Sequence, residues 1–162
     1  MSGRPLPQRY KIVQGGGPAA GAIAGDYVSL KNCHRFYAIV SGTKGDGTAI
    51  TLTPQRATDV AGTNVGALGA TVQIWSNADT ATTDTLVRQA NALNFATAAD
   101  ANPLMVVFQI DPASLGETGG GVPYDVVRVN KTTAGHANDR FSIVYLLDMR
   151  YEQATPPSAI VD

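Results

Sequence analysis

Short apolar segments of five to eight residues recur along the chain and are the main structural signal in it. They are rich in β-branched and aromatic residues, which suit a pleated, half-buried surface, whereas Gly, Asn and Asp fill the segments between them. The pattern predicts an all-β fold, a single antiparallel β-sandwich of jelly-roll or Ig-like type. The predicted strands are 34–41, 49–53, 71–75, 104–110, 124–129 and 141–147, with shorter ones at 10–13 and 26–30.

The strand predicted at 34–41 carries apolar side chains at both odd and even positions. Tyr37 and Ile39 lie on the face opposite to Phe36 by the two-residue period of a strand. A strand that is buried on both sides loses strict alternation, so this strand is predicted to be central and covered on both faces. Trp75, the only tryptophan, is expected to pack at an edge of the core rather than to stack on a ligand.

Three segments between the predicted strands are long enough to interpret. The Asp-Gly pair within 42–48 predicts a hairpin turn. Segment 55–69 is predicted to be a contact loop, with Thr58 and Asp59 as its interaction residues, because loops of this length are usually functional or mobile. Segment 77–101 fits either one helix face or irregular strands, and irregular strands are favoured.

Both ends of the chain are predicted to extend from the core. Residues 1–14 form an N-terminal arm with two prolines and little to bury, and residues 15–25 form a Gly-rich linker. The β-sandwich domain then covers 26–151, and 152–162 form a C-terminal tail with two further prolines. The interaction residues predicted outside the contact loop are Arg4, Arg9, Tyr10, Ile12, Val13 and Tyr151.

Composition and charge narrow the classes of partner. Charged residues make up 15% of the 162 residues, against about 25% in a typical chain, and a weakly charged surface associates readily. The formal net charge is −1, so the chain lacks the basic excess that drives binding to nucleic acid. Its apolar segments are far shorter than the ~20 residues that span a bilayer, so no membrane partner is expected. The N-terminal residues also lack the apolar core of a signal peptide, and secretion by that route is not expected.

The sequence offers no candidate catalytic, cofactor or metal site. It contains no G-x-S-x-G motif, and its two histidines, His34 and His136, have no accompanying catalytic pattern. Cys33 and His34 are adjacent, so on a strand they would point to opposite faces and could not share a metal. Cys33, the only cysteine, is expected to be a buried and unreactive thiol. The chain is therefore predicted not to be an enzyme and to need no cofactor.

Several of the apolar segments, taken in order, carry a family resemblance. They are HRFYAIVSG at 34–42, TLTPQRATDVAGT at 51–63, VFQIDPASL at 107–115, YDVVRV at 124–129 and IVYLL at 143–147. Over residues 34–151 this order resembles small virion proteins of tailed bacteriophages and prophages, which coat heads or serve as minor structural parts. The predicted arm and the Gly-rich linker fall outside the resemblance.

The resemblance implies a structural role as a capsid decoration or cement protein on the outer surface of the head. It implies the major capsid protein or other virion proteins as partners, self-association with a trimer favoured, and a location in the virion, assembled in the bacterial host cytoplasm. The arm at 10–13 is predicted to add a strand to a neighbour's sheet, so deleting residues 1–14 should leave the domain folded and weaken assembly.

Two alternatives stay open. One is a tail or head-to-tail connector protein that forms a ring through heterologous contacts. The other is a carbohydrate-binding β-sandwich, which ranks lower because sugar sites need exposed aromatic side chains and aromatic residues are only 7% of the chain.

Overall fold

A computed structural model describes residues 5–132, 135–151 and 158–160. The chain forms two antiparallel β-sheets that pack face to face around one apolar core, so the predicted all-β sandwich is confirmed. A one-turn helix, α1 (Leu6–Arg9), precedes the first strand, and a 3-10 helix at Pro112–Ser114 follows the ninth. The strands are β1 (Tyr10–Ala19), β2 (Val28–Ser29), β3 (Cys33–Thr43), β4 (Thr51–Ala57), β5 (Gly66–Ala67), β6 (Gln73–Asn77), β7 (Val87–Arg88), β8 (Phe95–Ala96), β9 (Pro103–Ile110), β10 (Val126–Lys131) and β11 (Arg140–Met149).

The strand order explains how the two sheets are built. The six-stranded sheet has the order β1-β11-β3-β9-β6-β7, and the five-stranded sheet has the order β2-β10-β4-β5, with β8 also paired to β4. The strand predicted as central, β3, does lie between β11 and β9. Alternate residues of β3, β9 and β11 point into the sandwich and are buried, as the two-residue period requires.

Tyr145 of β11 joins the two sheets at the centre of the core. Its ring lies 5.0 Å from that of Phe36 in the same sheet, and its hydroxyl accepts the backbone N–H of Val129 in the other sheet at 2.9 Å. Both aromatic side chains are fully buried. A buried hydroxyl that satisfies a backbone amide fixes the spacing of the sheets as well as filling volume.

The segment after β3 crosses between the sheets, so the hairpin predicted at 42–48 is wrong. Both edges of β3 are already paired, with β11 and β9, and the next strand, β4, pairs instead with β10. Lys44 anchors the crossing: its buried Nζ lies 2.6 Å from the Asp100 carboxylate and donates to the carbonyl of Ala98. Tertiary pairing therefore overrides the local turn signal.

The Gly-rich segment differs from the flexible linker that the sequence predicts. Strand β1 runs from Tyr10 through these glycines to Ala19 and pairs with β11, with register shifts after Gln14 and Gly16. Gly15 is buried because the ring of Tyr145 occupies the space where a side chain would lie. Glycine therefore serves close packing here, rather than flexibility.

The position of β1 changes the expected result of an N-terminal deletion. Removing residues 1–14 would take five residues out of the β1–β11 ladder, so we expect lower stability and not only weaker assembly. Removing residues 1–8 stops before β1 and should leave the melting temperature within a few degrees of that of the full chain. Thermal unfolding of the two truncated proteins compares these outcomes, and equal melting temperatures would contradict the assignment of β1.

Part of the predicted C-terminal tail packs on the sandwich. The backbone N–H of Ser29 in β2 donates to the carbonyl of Ala159 at 2.7 Å, and the side chain of Ala159 belongs to the core. Residues 158–160 also lie beside β1 and line a shallow groove with residues 11–14. The remainder of the tail, 152–157 and 161–162, falls outside the described residues.

The two long segments between the predicted strands, 55–69 and 77–101, both contain short strands. Segment 77–101 contains the short strands β7 and β8 and no helix, as favoured from the sequence. Segment 55–69 shortens to a hairpin loop, because β4 continues to Ala57 and β5 pairs back onto it.

Candidate interaction face

The side of the six-stranded sheet that points away from the core carries a continuous set of apolar side chains. Val144, Ile39, Val107 and Trp75 are aligned across β11, β3, β9 and β6 and form its central row. The rows on either side add further apolar groups from the same strands. We call the following seven side chains the apolar face: Tyr37, Ile39, Trp75, Met105, Val107, Val144 and Leu146.

The apolar face is accessible to a partner. All seven side chains are half-buried, which is the exposure expected when neighbours on one sheet surface shield each other. Within residues 5–132, 135–151 and 158–160, the two sheets form a two-layer sandwich and no third layer covers this face. A shallow groove of about 430 Å³ runs between Tyr37, Trp75, Leu86, Val107 and Gln109. A contiguous apolar surface of this kind typically marks a protein interaction site.

The outward side of the five-stranded sheet carries a polar cluster centred on Gln55. Arg128 donates to the Gln55 side-chain oxygen through Nε at 3.0 Å and Nη2 at 2.8 Å, and Asn130 donates to the same oxygen at 2.7 Å. The Arg128 guanidinium also lies 4.4 Å from the centre of the Tyr27 ring. The two outer surfaces of the sandwich therefore differ, and only the apolar face would gain from losing contact with water.

Charged side chains lie at the ends of the apolar face. Asp148 and Arg35 are directly opposite each other on β11 and β3 at one end. Arg140 begins β11 at the other end and is paired with Thr43. At the β7 edge, the Arg88 guanidinium lies 4.9 Å from the centre of the Trp75 ring. An apolar centre with a polar border is the usual composition of a protein interface.

The structure brings only some of the residues predicted in the N-terminal arm to this face. Ile12 is 43% exposed and is the register partner of Leu146, so it extends the apolar face onto β1. Tyr10 lies at the start of the same strand with the Arg9 guanidinium 5.1 Å from its ring centre, whereas Val13 packs against the core. Arg4 lies outside the described residues.

The other predicted interaction residues lie elsewhere on the molecule. Thr58 and Asp59 belong to the loop between β4 and β5, where the Asp59 carboxylate accepts the N–H of Thr63 at 2.9 Å. Hydrogen bonds from the side chain and the backbone of Thr63 hold the pKa of the Asp59 carboxyl group below its usual value. Tyr151 is 67% exposed beyond the end of β11. The structure therefore does not bring these residues together with the apolar face.

Most of the apolar face was missed at the sequence level. In β3, the apolar residues Tyr37 and Ile39 interrupt the strict alternation of a strand that is buried on one side. That pattern predicts burial on both sides of the strand. Among the residues that the structure describes, none forms a layer over that second side. Trp75 was expected at an edge of the core and instead lies on the outer surface of β6, in register with Val107.

The described residues offer little for chemistry. Cys33 is fully buried, and burial raises the pKa of its thiol to about 12, as expected for an unreactive cysteine. Among these residues no three His, Cys, Asp or Glu side chains cluster in a way that could hold a metal ion. In the same ranges of the chain, no helix combines the length and the hydropathy needed to cross a membrane.

One buried ion pair holds several loops at an end of the sandwich. Lys131 Nζ lies 3.2 Å from Asp139 Oδ2, and the two side chains are 0% and 2% exposed. The same ammonium donates to the carbonyls of Ala20 and Gly21 at 3.0 and 2.9 Å. Burial opposes the charge of Asp139, but the amide of Gly45, Lys131 and the amide of His136 outweigh it and lower the pKa of the carboxyl group. These contacts are structural, since the partners named here belong to loops of the chain itself.

The fold is similar to the crystal structure of the SPBc2 prophage-derived protein YomS, with a TM-score of 0.48 and 11% sequence identity over 85% of this chain and 92% of that chain. No protein-family model and no curated protein sequence matches the chain.

Proposed function

We propose that this chain is a non-enzymatic structural protein of a tailed-phage particle, and specifically a decoration protein of the head. The observation that carries the proposal is the apolar face, because a two-layer sandwich with one apolar outer surface is suited to assembly with other protein. The resemblance of residues 34–151 to small virion proteins supports the phage particle as the place of that assembly.

The apolar face favours protein as the partner over carbohydrate. Tyr37 and Trp75 are both outward, which is the kind of aromatic surface that a sugar site needs. The Arg88 guanidinium already lies over the Trp75 ring, however, and it also donates to Ile74, Gln89 and Asn91. A sugar would have to displace this arginine before it could stack on the indole.

Binding to heads tests the proposal. The purified chain is mixed with empty heads assembled from the major capsid protein encoded in the same genome, and with tails from that phage, and each mixture is sedimented. We expect saturable binding to heads. Binding to tails alone would favour the connector or tail alternative, and binding to neither particle would contradict the proposed role.

A lysine on the apolar face is expected to weaken head binding. Ile39→Lys places a charge in the central row, where any protein partner would have to desolvate it, so we expect at least a tenfold loss of affinity (about 1.4 kcal/mol). Thr53→Lys adds the same charge to the outer surface of the five-stranded sheet and is the matched control. Equal binding by the two variants would show that the apolar face does not serve assembly.

A further inference from the structure

We infer that the apolar face binds a second copy of this chain, packed face to face with the strands of the two copies antiparallel. The inference deepens the proposed function and rests on it in one respect, since the apolar face then serves assembly by joining two copies of the chain, and Ile39→Lys weakens head binding by separating them. It commits to a dimer with a two-fold axis, and not to the trimer that the sequence resemblance favours.

The central row would lie on the two-fold axis. The two-fold axis would lie between the six-stranded sheets of the two copies and run perpendicular to the strands. Each strand then faces the same strand of the second copy, running in the opposite direction. Val144, Ile39 and Val107, in register on β11, β3 and β9, then meet the same residues of the second copy. Aliphatic side chains from facing sheets can interdigitate in this way, as the inner faces of the sandwich already do.

The side rows are complementary in size under the same reversal. One row carries the large side chains of Leu146 and Tyr37, and the row on the other side of the axis carries Ser142 and Ser41 at the corresponding places on β11 and β3. Reversal places Leu146 and Tyr37 opposite serines of the second copy, and on β9 it places Met105 opposite Gln109. A pair with its strands in the same direction would instead set the large row against itself and leave a gap between the serine rows.

Charge is complementary in the antiparallel arrangement as well. Arg140 and Asp148 lie near the two ends of β11 and both belong to its outward positions. Reversal therefore brings Arg140 of each copy opposite Asp148 of the other, once at each end of the face. Arg35, the neighbour of Asp148, would face the neutral Thr43. At the two ends of β11 and β3 the reversal therefore opposes no pair of like charges, whereas Arg88, in register with Trp75 at the β7 edge, would face its own copy just outside the central strands.

The area of the face is sufficient for a specific but modest interface. From β1 to β6 the sheet is about 19 Å wide at ~4.8 Å per strand, and from Asp148 to Arg140 it is about 27 Å long at ~3.4 Å per residue. This footprint of roughly 500 Å² on each copy totals about 1,000 Å², which is the minimum for a biological interface and lies below the ~1,200 Å² at which stable interfaces begin. A reversible dimer that depends on concentration is therefore expected.

Charge reversal tests the arrangement. Light scattering over a wide concentration range should show the mass of the purified chain rise from 16.9 kDa toward twice that value. Asp148→Arg should weaken association by roughly tenfold or more, because it places two arginines opposite each other at both ends of the face. The double variant Asp148→Arg/Arg140→Asp restores opposite charges and should restore the dimer, with thermal unfolding checking that each variant is folded.

Cross-linking gives a second measurement that does not depend on these charges. Val144→Cys lies in the central row, so a short bismaleimide should join the cysteines of the two copies at high yield. Thr53→Cys, on the outer surface of the five-stranded sheet, is the matched control, and its cysteines should not be cross-linked although the chain still dimerises. The native Cys33 is fully buried and should not react.

Each outcome decides the inference. A dimer that is weakened by Asp148→Arg, restored by the double variant and cross-linked through Val144→Cys supports it. A monomer at every concentration, a trimer, or a dimer that cross-links equally at Thr53→Cys overturns it, and failure of the double variant to restore association overturns the antiparallel arrangement. The purified chain alone reports self-association, whereas head binding reports the proposed function, so a monomer that still coats heads separates the two.

Discussion

Replacing Lys131 with methionine is expected to lower the free energy of unfolding by about 3–5 kcal/mol. The substitution keeps much of the side-chain volume but removes the ammonium, which leaves the Asp139 carboxylate buried without its counter-ion. It also leaves the carbonyls of Ala20 and Gly21 without this donor. Urea unfolding followed by the fluorescence of Trp75 measures the loss.

Two variants show whether burial of the pair causes the loss. Lys31 pairs with Asp125 at 3.5 Å, but its side chain is 60% exposed, so Lys31→Met should cost less than about 1 kcal/mol. The double variant Lys131→Met/Asp139→Asn leaves no unpaired charge and should be more stable than Lys131→Met alone. A Lys131→Met variant no less stable than Lys31→Met would contradict this account of the buried pair.

The same pair makes stability depend on pH in a defined direction. The pKa of Asp139 in the folded chain lies below the value of about 3.9 expected after unfolding. Its contribution is therefore fully present above pH ~4 and is lost as the pH falls through the folded pKa. The stability difference between the native chain and Asp139→Asn should shrink over that acidic range, and a constant difference would exclude this linkage.

The strands could be predicted from the sequence because their information is local. Segments such as 104–110 and 141–147 alternate or run apolar in a way that a pleated, half-buried surface requires, and both are strands in the structure. The hairpin predicted at 42–48 failed because the choice of partner strand depends on the whole fold. No local pattern reveals that Lys44 will be buried against Asp100 and will carry the chain across to the other sheet.

The interaction face could be predicted only in part for a related reason. The apolar character of Tyr37 and Ile39 is visible in the sequence, but burial and an exposed face produce the same pattern of residues. A buried face and an exposed apolar face differ only in whether another layer of the fold packs on them, and this depends on the packing of segments that are distant in the sequence. Ile12 was identified as an interaction residue, although the strand that carries it pairs with β11 of its own chain.

The Gly-rich segment yields the second large effect, because its sequence and its structure give different expectations for one substitution. In a flexible linker, Gly→Ala restricts the folded and the unfolded chain alike, so stability should change little. In the structure, a methyl group on Gly15 would overlap ring carbons of Tyr145. That ring is fully buried, lies against Phe36, and is held by the hydrogen bond from Val129, so it has no free space to enter.

Gly15→Ala is therefore expected to lower the free energy of unfolding by about 1–3 kcal/mol, the usual cost of overpacking a well-filled core. Gly21→Ala is the matched control, because a methyl group at this position meets no atom within 4 Å and should stabilise the chain by up to about 1 kcal/mol. Urea unfolding of the two variants measures the difference. Equal stability would restore the linker interpretation, whereas the expected gap would show that this glycine is required where β1 passes over the ring that joins the two sheets.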